Sequence, residues 1–366
     1  MVSNTVARLK FSEGIQVASS NSSIRASEIR KVDRIKYYWR ESGDGAPSAI
    51  FSFDVKKLKV ENKLIDASKE VVMWPIAGMS FSFNGSERAV IFGPVIQHLE
   101  NNNDKHPDAM SFTEKGIIVT VVCNPREAPD SWIYSHTFFP PPRTPGYDFR
   151  WTALAQCDGL EYSDSSSDCI YLLGFHLGER QRNESSDTEI DYSLAPPSSY
   201  QVVGRIRASS LVELRLEELE VLFDKGGWAR VYGPSADAAG AARPARLFGP
   251  RVTEASFRYD TVASEWQVFS LQPPQDRARL CSAARVEGPW SCRDVFEVGV
   301  PFSDFSKYIT YAAKLHPEFA PQVDRAGSRQ GRVLFSVVSN TLNGFGELYS
   351  EGAYTTYVPR FFSVSL

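Results

Sequence analysis

No apolar run in the 366 residues approaches the roughly 18 that a membrane-spanning helix needs. The first ten residues lack the apolar core of a secretory leader, so any targeting peptide is expected to be absent from this sequence or already removed. Charge of one sign is also missing: 40 basic against 44 acidic residues leave a net charge of −4, with no electrostatic footprint for nucleic acid. The five cysteines include no Cys-x-x-Cys pair, and the five histidines (His98, His106, His136, His176 and His316) are isolated, which argues against a zinc site. There is no phosphate-binding glycine loop. The nearest stretch, Gly344-Phe345-Gly346, lacks a third glycine and lies between strand-like runs, and no Gly-x-Ser-x-Gly elbow exists. No metal or organic cofactor is expected. Long helical patterns are nearly absent too. Only residues 209–223 show a 3.6-residue spacing, through Leu211, Leu214, Leu216, Leu219 and Leu222, and their partial alternation also fits a pair of strands.

What remains is strand. Short runs of Val, Ile, Phe and Tyr alternate with polar residues and are punctuated by 24 Gly and 22 Pro. Many short strands without a helix-rich half predict an all-β chain, and the length favours a propeller over a single sandwich. Phe92-Gly93-Pro94-Val95 is echoed by Phe248-Gly249-Pro250-Arg251-Val252, and Gly226-Gly227-Trp228 by Gly288-Pro289-Trp290. A four-stranded blade takes roughly 45–70 residues with its loops, so the chain is expected to form one domain, 1–366, of five blades. Inner strands are placed near 73–83, 108–122, 159–174, 252–259 and 308–316, and the last strand, near 357–364, is expected to pair with N-terminal strands and close the ring. A pair of β-sandwich domains is the alternative, disfavoured because no linker separates two halves. Cys281 and Cys292 flank one hairpin, and Cys157 and Cys169 flank a polar loop. These four read either as two local disulfides or, with Cys123, as reduced thiols. Three sequons, at Asn21, Asn84 and Asn183, lean toward a glycosylated, secretory protein.

Three segments at the C-terminal end carry a resemblance: residues 311–318 (Tyr-Ala-Ala-Lys-Leu-His-Pro-Glu), 333–340 (Val-Leu-Phe-Ser-Val-Val-Ser-Asn) and Val358-Pro359-Arg360-Phe361. With residues 253–290, they resemble a family of five-bladed propellers common in fungal natural-product clusters and related to glycosidase-like propellers. Within it, the chain is similar to the hetero-Diels–Alderases that join a tropolone quinone methide to a humulene-type sesquiterpene. The resemblance implies the propeller fold and a cofactor-independent pericyclase in meroterpenoid secondary metabolism. Its partners would be a tropolone-type heterodiene and a terpene alkene.

Two constellations bear on chemistry. Asp108, Glu161 and Glu254 fall on the expected inner strands, where paired carboxylates serve glycoside hydrolysis. The first inner strand carries no acidic residue from 71 to 86 and instead offers Trp74, Met79 and Phe81. The second constellation is apolar and aromatic, with Trp74, Phe81, Trp266, Tyr311 and Phe361 expected to line a channel mouth with Arg251, His316 and Arg360. A cycloaddition catalyst aligns two partners and donates hydrogen bonds to oxygens that gain electron density, which suits such a pocket. His316, Arg251 and Arg360 are therefore the catalytic candidates. Trp74, Met79, Phe81, Asp108, Glu254, Trp266 and Tyr311 are candidates for binding substrate. The leading expectation is the hetero-Diels–Alderase, and the alternative is a carbohydrate-active, glycosidase-like propeller. A non-catalytic interaction propeller is the third reading.

Overall fold

The computed structural model describes residues 6–11, 26–29, 32–38, 40–41, 47–48, 65, 71–98, 112–140, 149–157, 168–176, 199–224, 227–232, 243–249, 254–272, 277–297, 308–316, 333–341 and 359–364. Among them the chain is all-β. Its strands are β1 (Val6–Phe11), β2 (Ala26–Ile29), β3 (Val32–Tyr38), β4 (Arg40–Glu41), β5 (Pro47–Ser48), β6 (Val71–Met73), β7 (Ala77–Phe83), β8 (Ser86–His98), β9 (Phe112–Val122), β10 (Tyr134–Phe139), β11 (Phe149–Gln156), β12 (Cys169–His176), β13 (Tyr200–Arg207), β14 (Glu220–Phe223) and β15 (Gly227–Arg230). They continue with β16 (Ala255–Asp260), β17 (Glu265–Gln272), β18 (Arg277–Ala283), β19 (Ser291–Glu297), β20 (Tyr308–His316), β21 (Val333–Thr341) and β22 (Pro359–Val364). Four of the sheets are antiparallel and have four or five strands each, the repeating unit of a propeller-like arrangement.

The residues group into two compact units. The first comprises 1–10, 34–100 and 110–246, and the second 11–33, 101–109 and 247–366. In the first unit, one sheet runs β10-β9-β8-β6, with β7 also on β8, and another runs β11-β12-β13-β14-β15. β7 shows how the sequence builds these sheets. Ala77 and Phe81 are buried while Gly78, Ser80 and Ser82 are exposed, the alternation of a strand with one wet face. β12, by contrast, is buried at every position, as a central strand covered on both faces must be. The core between these sheets joins Phe81, Val90, Phe92, Val119, Trp151, Leu172, Val202 and Leu219.

Residues 209–223 form neither one helix nor a strand pair. A one-turn helix, α1 (Ala208–Val212), is followed by a 3-10 turn over Leu216–Glu218 and then by β14. Leu214 sits in the left-handed region (φ 59°), which a continuing α-helix cannot accommodate. Leu211, Leu216, Leu219 and Leu222 are all buried, so the apolar spacing marks core-facing positions in a turn-rich connection.

In the second unit, one sheet runs β16-β17-β18-β19 and another β2-β22-β21-β20. The expected partnership of the last strand with an N-terminal strand takes the form of β2 on β22, with Ala26 opposite Val364 and Ile29 opposite Phe361. Phe269, Leu271, Leu280, Ala313, Leu315, Phe335, Val337 and Phe362 make one apolar cluster in this unit. Asp260 shapes the β16–β17 turn by accepting hydrogen bonds from the Val262 and Ala263 N–H groups, an Asx-type turn.

Both cysteine pairs are disulfides. Cys157–Cys169 joins the end of β11 to the start of β12, and Cys281–Cys292 joins directly opposed residues of β18 and β19. Cys123 is an exposed thiol. Each bridge closes a loop of about a dozen residues, so in the chain-entropy view each stabilises the fold by about 3 kcal/mol. The double variant Cys281→Ala, Cys292→Ala is expected to lose about that much in urea unfolding. An unchanged midpoint would show that the bridge contributes nothing.

Candidate functional site

The candidate site is built within the second unit, on β16 and β20. These strands open two different sheets, and side chains join them. β20 carries a β-bulge: Tyr311 opposes Val338 and Lys314 opposes Ser336, leaving Ala312 and Ala313 against the single residue Val337. Ala312 takes up the extra length in the left-handed region (φ 56°), a conformation costing a non-glycine residue about 1–3 kcal/mol. The Glu254 carboxylate accepts the hydrogen bond that the Ala312 N–H donates. Two residues on, the Ser256 hydroxyl accepts the Leu315 N–H at 2.7 Å, and Lys314 Nζ donates back to the Ala255 carbonyl at 3.3 Å.

Register then fixes which side chains share a face. Residues directly opposite in an antiparallel ladder point the same way, and neighbours along a strand alternate. Lys314 and Phe361 both oppose Ser336, and His316 opposes Leu334. Tyr311, Lys314, His316, Ser336 and Phe361 therefore occupy one face of this sheet. His316 Nε2 lies 2.8 Å from Ser336 Oγ, and its ring is 5.9 Å from that of Phe361. The other face belongs to Ala313, Leu315, Phe335 and Val337 in the apolar cluster.

The electrostatics of the pair are opposed. Removal from water pushes the Glu254 carboxyl above its ordinary value, while the Lys314 charge and the Ala312 N–H pull it partly back. Removal from water likewise lowers the Lys314 ammonium, and Glu254 offsets part of that. Each group is thus brought toward its neutral form beside a partner able to take or give a proton. Such pairs are enriched at functional sites.

Several expected site residues fall elsewhere. Arg360 opposes Val337, so it lies on the face opposite His316, with its guanidinium carbon 5.9 Å above the Phe362 ring; the two do not converge. Trp266 is 0% exposed and packs between Phe257 and Tyr259, as core rather than as a binding wall. Met79 and Phe81 belong to the core of the first unit, with Phe81 only 4% exposed. Trp74, in that same unit, is 37% exposed. Arg251, Asp108 and Glu161 lie outside the described residues. Of the predicted set, His316, Tyr311 and Phe361 share one face of the β20–β21–β22 sheet, and Glu254 meets β20 through the Ala312 N–H. Lys314 and Ser336 were missed, because nothing in their sequence context distinguishes them from ordinary strand residues. Among the described residues, no group of three or more His, Cys, Asp or Glu could hold a metal ion.

No protein-family model matches the chain, and no curated protein matches it. Solved structures do. A "putative hydrolase" from Bacteroides ovatus ATCC 8483 aligns with a TM-score of 0.50 and 13% identity, over 86% of this chain. The alignment spans 64% of that protein's length, less than two thirds of it. A GH43_1 enzyme from Xanthomonas citri aligns with a TM-score of 0.28 and 10% identity, over 81% of this chain and 90% of its own. RS223-Beta-xylosidase gives a TM-score of 0.28 and 10% identity, over 80% of this chain and 91% of its own. At these identities the likeness to the Bacteroides structure is one of fold.

Proposed function

We propose that the chain is a carbohydrate-active hydrolase in which Glu254 is the proton donor. The observation that supports this reading is the pair formed by Glu254, just before β16, and Lys314 on β20. Removal from water raises the Glu254 carboxyl above its ordinary value, the direction that suits a group giving its proton to a leaving glycosidic oxygen. The left-handed Ala312 is strain placed where the carboxylate is gripped, and such strain concentrates at working sites. The same reading takes the sheets as a five-bladed ring closed through β2 and β22, with small sugars as partners. It also places the chain in an oxidising compartment, in keeping with its two disulfides.

His316 favours a second reading. Its ring, hydrogen-bonded to the Ser336 hydroxyl beside Phe361, sets a polar group against an aromatic wall, the setting a hetero-Diels–Alderase would use. One experiment separates the two. Wild type, Glu254→Gln and His316→Ala are assayed on a panel of nitrophenyl glycosides and, separately, on a tropolone quinone methide with humulene. Glycoside cleavage lost in Glu254→Gln and kept in His316→Ala supports the hydrolase. Adduct formation that depends on His316 alone replaces it with the pericyclase.

A further inference from the structure

The sequon Asn84-Gly85-Ser86 is used by neither reading, and of the three in the chain it alone lies within the described residues. It forms the tip of the β7–β8 hairpin. Phe83 and Ser86 close the ladder, and the two loop residues between them have positive φ, 49° at Asn84 and 72° at Gly85. Positive φ at both positions is the type I′ turn, whose twist matches that of the strands and which selects Asn-Gly. Turn chemistry therefore accounts for Asn84 and Gly85 but not for Ser86, which is already in the ladder. All three residues are exposed. Among the described residues, a Cβ built on Gly85 would meet no atom within 4 Å.

The disulfides are an independent observation. Disulfides form and persist in oxidising compartments, among them the endoplasmic reticulum lumen, where asparagine receives N-linked sugar. We infer that Asn84 carries an N-linked glycan. In the transfer, the Asn84 side-chain nitrogen forms a bond to the anomeric carbon of a lipid-pyrophosphate-linked oligosaccharide. The bond from that carbon to the pyrophosphate oxygen breaks, the lipid pyrophosphate leaves, and the amide gives up one proton. The hydroxyl of Ser86 completes the acceptor. At this tip the sugar projects into solvent and displaces no packed side chain.

The test is intact-glycopeptide mass spectrometry on the full chain, from its native cells and after secretion from yeast behind a heterologous leader. The Asn84 peptide should carry a glycan that N-glycosidase removes. Asn84→Gln and Ser86→Ala should each lose one glycan step on a gel, while Ser86→Thr keeps it. Ser86→Ala leaves the Asn-Gly turn intact, so its loss reports the acceptor and not a misfolded hairpin. An unmodified Asn84 peptide in the native chain, or a Ser86→Ala chain that migrates as wild type, overturns the inference.

Discussion

Glu254→Gln is expected to lower glycoside hydrolysis by about 10²–10⁴-fold, the usual contribution of a positioned proton donor. The substitution separates chemistry from structure. A glutamine oxygen still accepts the Ala312 N–H, so the bulge of β20 and its left-handed residue keep their partner. Only the titratable proton is lost. The variant should therefore match wild type in urea unfolding and in circular dichroism while turnover collapses. Equal loss of stability and activity would give Glu254 a structural role alone.

The pH profile carries a second consequence with a definite sign. A general acid works in its protonated form, so activity should fall as pH rises through the Glu254 pKa. Removal from water has already raised that pKa. The alkaline limb is thus expected above the ordinary glutamate range. Lys314 acts against this, because its positive charge favours the ionised carboxylate. Replacing it by methionine, which keeps the apolar stem, should move the limb to still higher pH. A limb that moved down, or stayed put, would detach Lys314 from the proton donor.

Much of this fold was legible because strand physics is local. The alternation of Ala77, Met79 and Phe81 with glycine and serine, and the Asn-Gly turn after them, mark β7 and its hairpin without reference to anything distant. The two cysteine pairs were legible for the same reason, each lying across a short connection. The site was legible only in part. Glu254 and His316 announce themselves as polar residues at strand ends, but their company depends on register. Ala312 and Ala313 are as acceptable in a regular strand as in a bulge, so nothing in the sequence shows that the ladder slips there. Arg360 was misplaced for a related reason. Its face follows from its pairing with Val337, a fact of register rather than composition. Trp266 illustrates a different limit, since an aromatic residue on an alternating strand satisfies a core and a binding wall equally well.

The largest stability effect is expected at Trp151, which the sequence did not single out. Its indole is 3% exposed within the core of the first unit and donates from Nε1 to the Tyr232 hydroxyl at 3.2 Å. Two glycines of the same sheet, Gly174 on the neighbouring β12 and Gly204 on β13 beyond it, make room for the ring. A Cβ on Gly174 would lie 2.7 Å from Trp151 Cε3 and 2.5 Å from the Arg150 carbonyl, and one on Gly204 would lie 2.8 Å from Trp151 Cη2. Ring and glycines are thus one packing unit, spanning β11, β12 and β13. Trp151→Ala empties the seat and should cost about 3–5 kcal/mol, a large fraction of the roughly 5–15 kcal/mol of an ordinary domain. Gly204→Ala overfills the seat and should cost about 1–3 kcal/mol. The two effects must couple. Once Trp151→Phe has removed the outer ring, the atom that Gly204→Ala collides with is gone, and the alanine should cost far less than in wild type. A double-mutant cycle followed by urea unfolding reads this directly, with an interaction of about 0.5–3 kcal/mol expected for residues in contact. Strict additivity would mean that the backbone of β13, and not the indole, makes Gly204 necessary.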